Sequence, residues 1–438
     1  MNIRKHLSAS GLFNLVRAGL EKVKDTRTGE ATILMVDVLM SAFAMFSLKD
    51  DSLRTFDQRR ANPRELANLK RVYGIENVPC DTVMRDVLDP VDPEEFRPIF
   101  KNVFNQLQRG KVLEKFQYMG GYYILSGDGT GYFSSKKIHC PSCLERINSK
   151  TGEITYSHQM YGAAIVHPNL KEVIPLMPEP IIKQDGETKN DCERNASKRF
   201  FDKFRQDHPN LPVIVVEDAL SSNAPHIREL QKHNLRYILG VKKGDHEFLF
   251  EQIEEACKKE EVEQIEIEEE DVTHRFHFIN DLPLNKSNQD VRVNYVEYWE
   301  IKKEKTQHFS WTTDFVVTKD NVYDIMRGGR ARWKIENETF NTLKNKNYNF
   351  EHNYGHGNIN LSVNFALLMM LAFLVDQAQQ LACSLFQAVL EKEGSKKTLW
   401  EHVRNLFYAL DMISMEQIYQ AILYGYKIER IVILNDTS

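Results

Sequence analysis

Pro212-Val-Ile-Val-Val-Glu-Asp218 is the stretch that decides the architecture. Four consecutive apolar residues, Val213 to Val216, leave no polar face for water, which is the pattern of a strand in a sheet covered on both sides. The run ends in two acids. A carboxylate beside such a run must be paired, exposed at the strand end or bound to metal. Alternation along a strand sends Glu217 and Asp218 to opposite sides.

Working outward, the neighbouring segments supply the partners. Tyr122-Tyr-Ile-Leu-Ser-Gly-Asp128, residues 155–166 and Glu172-Val-Ile-Pro-Leu-Met177 read as three consecutive strands. An amphipathic helix follows from about Asp191 to Gln206, with Ala196, Phe200, Phe201 and Phe204 as its apolar stripe. Beyond Asp218, residues 225–233 predict a helix and Arg236-Tyr-Ile-Leu-Gly-Val241 a fifth strand. The order βββαβαβ, with acids on the first and fourth strands, predicts an α/β, ribonuclease H-like core, a mixed sheet flanked by helices. Fold alone does not name a function.

The remaining sequence divides around that core. Residues 1–118 predict an N-terminal helical domain, with helices over 36–46, over 63–73 ended by Gly74, and from Asp81 or Thr82 to Leu88. Arg59, Arg60, Arg64, Lys70, Arg71 and Arg85 lie nearby, so the domain is read either as a DNA-binding helix-turn-helix or as a bundle with a solvated basic face. Residues 119–244 form the first part of the core and 245–317 a strand-rich insertion. The core resumes over 318–385, and 386–438 is a helical tail.

Composition narrows the class. The chain has 438 residues and a net charge of −5, but 251–271 alone hold eleven acidic and two basic residues, so the remainder carries +4. DNA binding depends on local basic patches, so the total neither supports nor excludes it. The acidic tract itself is expected to be a solvated helical face. The longest apolar run, 365–375, is short of the ~18 residues a membrane span needs and predicts a buried helix. Six cysteines in a chain this long do not make a disulfide scaffold, and no secretory signal is evident, so a cytoplasmic location is expected.

Three carboxylates stand in informative contexts. Asp128 ends a strand between Gly127 and Gly129, which permit close approach of backbone to a ligand; alone, Asp-Gly is also a hairpin signal. Asp218 ends the buried strand. Glu336, in Arg332-Trp-Lys-Ile-Glu336, shares a helical face with Arg332, Phe340 and Leu343. The bland alternative for Glu336 is a surface pair with Arg332, worth about 0.3–0.5 kcal/mol. Cations crowd this segment, Arg330 and Arg332 before the acid and Lys344 and Lys346 after it, as phosphate binding requires.

Asp128, Asp218 and the Arg-Trp-x-Ile-Glu block together resemble the DDE transposases of bacterial insertion sequences, in the group with a strand-rich insertion before the last carboxylate. The resemblance covers most of 119–375. That group carries the helix signature Tyr-x₂-Arg-x₃-Glu-x₆-Lys. Arg332 and Glu336 match it, Gly329 stands at the tyrosine position, and Lys344 falls one residue late. Glu338 is therefore a rival third carboxylate, although only Glu336 is in helical phase with Arg332.

The resemblance implies that Asp128, Asp218 and Glu336 hold two Mg²⁺ (or Mn²⁺) ions for phosphodiester hydrolysis and strand transfer. It also implies double-stranded DNA partners, namely terminal inverted repeats and target DNA, a dimer on the DNA ends, and a bacterial, nucleoid-associated setting without membrane. Trp299 and Trp311 in the insertion are candidates for stacking on a base, against strand-core packing as the bland reading. The competing functions are a ribonuclease H-like nuclease that cuts without joining and a catalytically silent DNA-binding remnant.

One further motif is Cys140-Pro-Ser-Cys143, a half-site whose thiolates suit Zn²⁺, with His158 and Cys192 downstream as the other two ligands of a structural zinc. Free loop thiols are the alternative. His226, His352 and His356 are read as loop or phosphate contacts.

Overall fold

The computed structural model describes residues 5–183 and 190–427, so the last eleven residues of the expected tail lie outside the described ones. The strands that build the centre are β1 (Tyr122–Ser135), β2 (Leu144–Ile147), β3 (Ile154–Val166), β4 (Val213–Glu217) and β5 (Arg236–Gly240). They continue with β6 (Glu263–Glu269), β7 (Val272–Asn285), β8 (Asn288–Lys302) and β9 (Lys305–Thr313). Their spatial order is β2-β3-β1-β4-β5-β9-β8-β7-β6. β4 is parallel to both β1 and β5, and the other neighbours are antiparallel. The result is a mixed α/β molecule with a large mixed sheet flanked by helices.

Seven helices are used below: α1 (Met35–Ser47), α2 (Pro63–Tyr73), α3 (Asp81–Leu88), α4 (Glu193–Asp207), α5 (Ala224–Lys232), α6 (Val322–Arg330) and α7 (Leu361–Ala382). α4 covers one face of the sheet, where Phe200 and Phe201 pack on Tyr161 of β3. The segment after α6 covers the other, where Phe340 rests on Gly162. All five residues of β4 are buried, as a strand covered on both faces must be.

The third strand departs from expectation. Within 172–177 only Ile174–Pro175 pairs with β3, and a second fragment, Glu179–Ile181, pairs further along. Pro175, Pro178 and Pro180 cannot donate to a ladder, so the edge is broken into pieces. The acidic tract also divides. Its first part is a helix, Glu247–Lys258, but 263–269 is the edge strand β6, with Ile265 and Ile267 half-buried and the glutamates exposed. The glutamates on this outer strand hinder pairing with another chain. The insertion strands extend the core sheet directly, since β9 pairs with β5 through Trp311 opposite Gly240.

N-terminal and C-terminal helices form one bundle. Asn68 of α2 donates to the carbonyls of Phe407 and Leu410 at 2.8 Å each and accepts from Met412 N at 2.8 Å. The six cations of the proposed helix-turn-helix are all engaged by carboxylates. Arg59 is buried between Asp50 and Glu65, Arg60 meets Asp57, Arg64 and Arg71 meet Asp411, Lys70 meets Glu76, and Arg85 meets Asp81. That arrangement favours the bundle reading. α7 is the one helix among the described residues long and apolar enough to cross a membrane, and nearly all of it is buried inside the protein.

Candidate active site

The register of β1 and β4 sets the first geometry. Ser126 pairs with Val216, so Asp128 and Asp218 each lie two residues beyond the last matched pair of these adjacent parallel strands, but Asp128 does not end its strand as expected, because β1 continues to Ser135 paired with β3. Such strands are about 4.8 Å apart. Asp128 remains in β1, opposite Gly162 of β3. Asp218 is the first residue past β4, and its Oδ1 accepts from Leu220 N at 2.9 Å, capping a short turn.

Glu336 reaches Asp128 through a chain of contacts. The polypeptide from α6 onward stays helical, but residues Ile335–Phe340 form a π-helical turn. Such a widened turn re-aims side chains and is frequent at functional sites. Two contacts seat it on the sheet. Ser126 Oγ donates to the Arg332 carbonyl at 2.9 Å, and a Cβ on Gly162 would lie 2.7 Å from Phe340. Arg332 Nη1 then lies 2.7 Å from Glu336 Oε1 and 3.4 Å from Asp128 Oδ2. Glu338 is instead near Lys334 and Lys396, away from Asp128.

A fourth carboxylate belongs to this end of the sheet. Glu193, the first residue of α4, approaches from the opposite face, and a Cβ on Gly129 would lie 2.3 Å from its Oε2. Burial, then the charges of Glu217 and Asp218, push its pKa up. Asp128 is pushed up to about 7 by burial, a hydrogen bond shared with Glu336, and the charge of Glu193, with Arg332 opposing. Glu193 carries no motif of its own in the sequence; only the amphipathic helix it begins was legible.

Glu217 faces away from Asp218, as alternation predicts, and is fully engaged. It accepts from Tyr161 Oη and contacts His226 Nε2, both at 2.5 Å. Burial opposes the charged imidazole, but Glu217 holds the His226 pKa above its usual value. His226 is thus a partner of a buried acid rather than a loop contact.

The other expected residues fall into two groups. A cleft of about 620 Å³ opens beside Asp218, lined by Lys242, Lys243, His308, Trp311, Arg332 and Trp333 among others. Trp311 is 95 % buried in its floor, and a Cβ on Gly329 would lie 2.5 Å from its indole nitrogen. A side chain as large as tyrosine has no room at 329 while Trp311 fills that space. Trp333 is 46 % exposed under the Arg332 guanidinium, and sequence reading passed over it as a site residue. The second group does not line this cleft. Trp299 is half-buried and stacks on His308 at 5.0 Å, Arg330 pairs with Glu300, Lys344 pairs with Glu351 at 2.9 Å, and Lys346 is exposed at a helix end.

Carboxylate oxygens at one end of the sheet, Asp128 and Glu336 with Asp218 on the neighbouring strand, are donors suited to Mg²⁺ or Mn²⁺. Arg332 now stands between two of them as the internal positive charge. Among the described residues, Asp128, Asp218 and Glu336 do not all come within 4.8 Å of one another; that closeness is found for Cys140, Cys143, His158 and His356, and for Asp202, Glu229 and His233. The last trio is a surface set with Lys232 already paired to it. In the sulfur–nitrogen set the fourth member is His356. Cys192 is exposed at the start of α4, because the helix that carries it is anchored on the far side of β3 by its phenylalanines.

No known protein-family profile matches the chain, and no curated protein matches it. One solved structure it is similar to is a piggyBac transposase synaptic complex with hairpin DNA, at 11% identity and a TM-score of 0.42, over 98% of this chain and 88% of that one. Likeness that loose carries no weight for function.

Proposed function

We propose that the chain is a DNA transposase that binds transposon ends, hydrolyses phosphodiester bonds there and joins the 3′-OH ends to target DNA. The observation that carries this reading is the placement of Asp128 and Asp218 at matched levels of adjacent parallel strands, with Glu336 brought over Asp128 by a π-helical turn. The strand order β2-β3-β1-β4-β5, with helices on both faces, supports a ribonuclease H-like core beneath them.

Asp128, Asp218 and Glu336 are the residues that would hold the metal. A bound pair of Mg²⁺ (or Mn²⁺) ions supplies activation of the attacking water and stabilisation of the leaving oxygen. The remaining work falls to the chain. Arg332, freed from Asp128 and Glu336, can grip a phosphate, and Lys242 and Lys243 line the cleft where the backbone would run. Trp333 offers aromatic surface to an unpaired base, whereas Trp311, expected as a second stacking residue, is packed into the sheet against Phe309 and Gly329, and Trp299 lies behind His308. Arg330, Lys344 and Lys346 belong to the wider DNA path in this reading. Two chains would bridge the paired ends, in the nucleoid-associated cytoplasm of a bacterial cell.

The test is nicking of a labelled terminal repeat and its joining to plasmid DNA, with and without Mg²⁺, for wild type and for Asp128→Ala, Asp218→Ala and Glu336→Ala. Metal-dependent cleavage and joining, lost in all three variants, is the expected outcome. Cleavage without joining would identify a nuclease, and repeat binding without cleavage a silent remnant. Full activity in the alanine variants would refute the assignment.

A further inference from the structure

The loop between β1 and β3 is short of apolar cover. It runs Lys136-Lys-Ile-His-Cys-Pro-Ser-Cys143, and Ile138 and Ile147 are exposed, so no local core holds it. Yet Cys140, Cys143 and His158 are buried side by side, with exposures of 7%, 1% and 1%. The turn is tight: Cys143 N donates to Cys140 O at 3.1 Å and Cys140 N to Cys143 Sγ at 3.4 Å. His356 completes the group from the loop ahead of α7, 213 positions away in the chain.

The distances distinguish metal ligands from other arrangements. Zn–S bonds of about 2.3 Å and Zn–N bonds of about 2.0–2.1 Å, set tetrahedrally, place sulfurs about 3.8 Å apart and sulfur–nitrogen pairs about 3.5 Å apart. Here the two Sγ atoms are 3.8 Å apart. His158 Nε2 lies 3.4 Å from each sulfur, and His356 Nε2 lies 3.2 Å from Cys143 Sγ. A disulfide needs about 2.05 Å, so these cysteines are not bonded to each other. Neither Nδ1 atom has a hydrogen-bond partner, so both imidazoles engage polar groups only through the nitrogen aimed at the sulfurs. Aromatic rings fix their planes, Tyr132 against His158 and Phe133 against His356 at 4.4 Å. Without an ion, two thiols and two imidazoles would be left with only weak S–H···N contacts.

We infer that Cys140, Cys143, His158 and His356 form a tetrahedral structural zinc site. Its two halves come from two of the three segments that carry the proposed acids. Cys140, Cys143 and His158 belong to the β1–β3 hairpin, which holds Asp128. His356 follows the helix that holds Glu336. The ion therefore staples the Asp128 hairpin to the chain beyond Glu336, and it does so whether or not the protein is a transposase.

The test is metal analysis of the full-length protein, produced with zinc supplied and purified without chelator or nickel resin. One zinc per chain is expected, retained in Asp128→Asn and in Cys192→Ser and lost in Cys143→Ser and His356→Ala. Because the last two can fail to fold, cobalt is substituted into wild type as a second readout. It should give sulfur-to-cobalt charge transfer and the intense visible bands of a tetrahedral S₂N₂ site. Wild type with less than about a fifth of an equivalent of zinc and no such cobalt spectrum would overturn the inference. So would loss of zinc in Asp128→Asn or in Cys192→Ser, or full zinc in folded His356→Ala.

Discussion

The helical bundle and the open end of the sheet treat buried charge in opposite ways. In the bundle, charge is balanced locally. Arg59 sits between Asp50 and Glu65, and Lys49, fully buried, lies 2.6 Å from Asp376 while its ammonium packs over Tyr348 and Trp400 at 4.3 and 4.1 Å. At the sheet end, Asp128 and Glu336 share Arg332, while Glu193 adds its charge to Asp128 from the opposite face and is itself pushed up by burial and by Glu217 and Asp218. A balanced network holds a fold together. An unbalanced one stores repulsion that an external cation would relieve, which is why the proposed chemistry is placed at the sheet end.

The comparison can be broken most sharply at Asp128 and Asp218. Alanine at either should lower metal-dependent cleavage by at least about 10³-fold, since several kcal/mol of transition-state stabilisation is removed. Thermal stability in chelator should not fall with it, and a parallel loss of folding would mean these acids are structural. In the bundle the expectation reverses. Lys49→Met leaves Asp376 buried without its partner and should cost about 3–5 kcal/mol in urea denaturation. Adding Asp376→Leu should recover most of that, because two apolar groups replace the pair; no recovery would show that the ion pair itself is stabilising.

A smaller effect concerns pH. The Asp128 carboxyl is held near pH 7 in the folded chain but titrates near 3.9 when unfolded. Between those values the folded state binds more protons, so stability in chelator should fall as pH rises from about 4 to 7. Asp128→Asn lacks this penalty. Its advantage over wild type should be absent at pH 4 and about 1–2 kcal/mol at pH 8, allowing for partial exposure. An advantage independent of pH would mean that Asp128 is not under strain. The smallest expected effect is at Arg60, paired at 3.0 Å with Asp57 on the surface. Arg60→Ala should change stability by less than about 1 kcal/mol and leave DNA affinity unchanged; a drop in affinity would return this face to a DNA-binding role.

Much of the core was legible because its signals are local. The apolar run ending at Asp218, the start of the Tyr-Ile-Leu strand and the phenylalanine stripe of α4 each depend on a few consecutive side chains, whereas the continuation of that strand past Asp128 to Ser135 was not legible through its glycines. Helical phase likewise separated Glu336 from Glu338. What was missed depends on approach from elsewhere. Glu193 looks like any helix-start acid until α4 docks against Gly129. Prolines reduced the expected third strand to fragments, and the period-two Ile/Glu pattern of 263–269 was hidden inside a run of charge.

By itself, then, the amino-acid order determined most of the core strands and helices and the acid that follows the buried strand, Asp218, since periodicity is a property of neighbouring residues. Only tertiary structure decided that Arg332 stands between Asp128 and Glu336, that Trp311 excludes a side chain at 329, and that His356 rather than Cys192 joins the paired cysteines. Those outcomes depend on the register of parallel strands and on which face a helix docks, and neither is encoded in any single stretch of the chain.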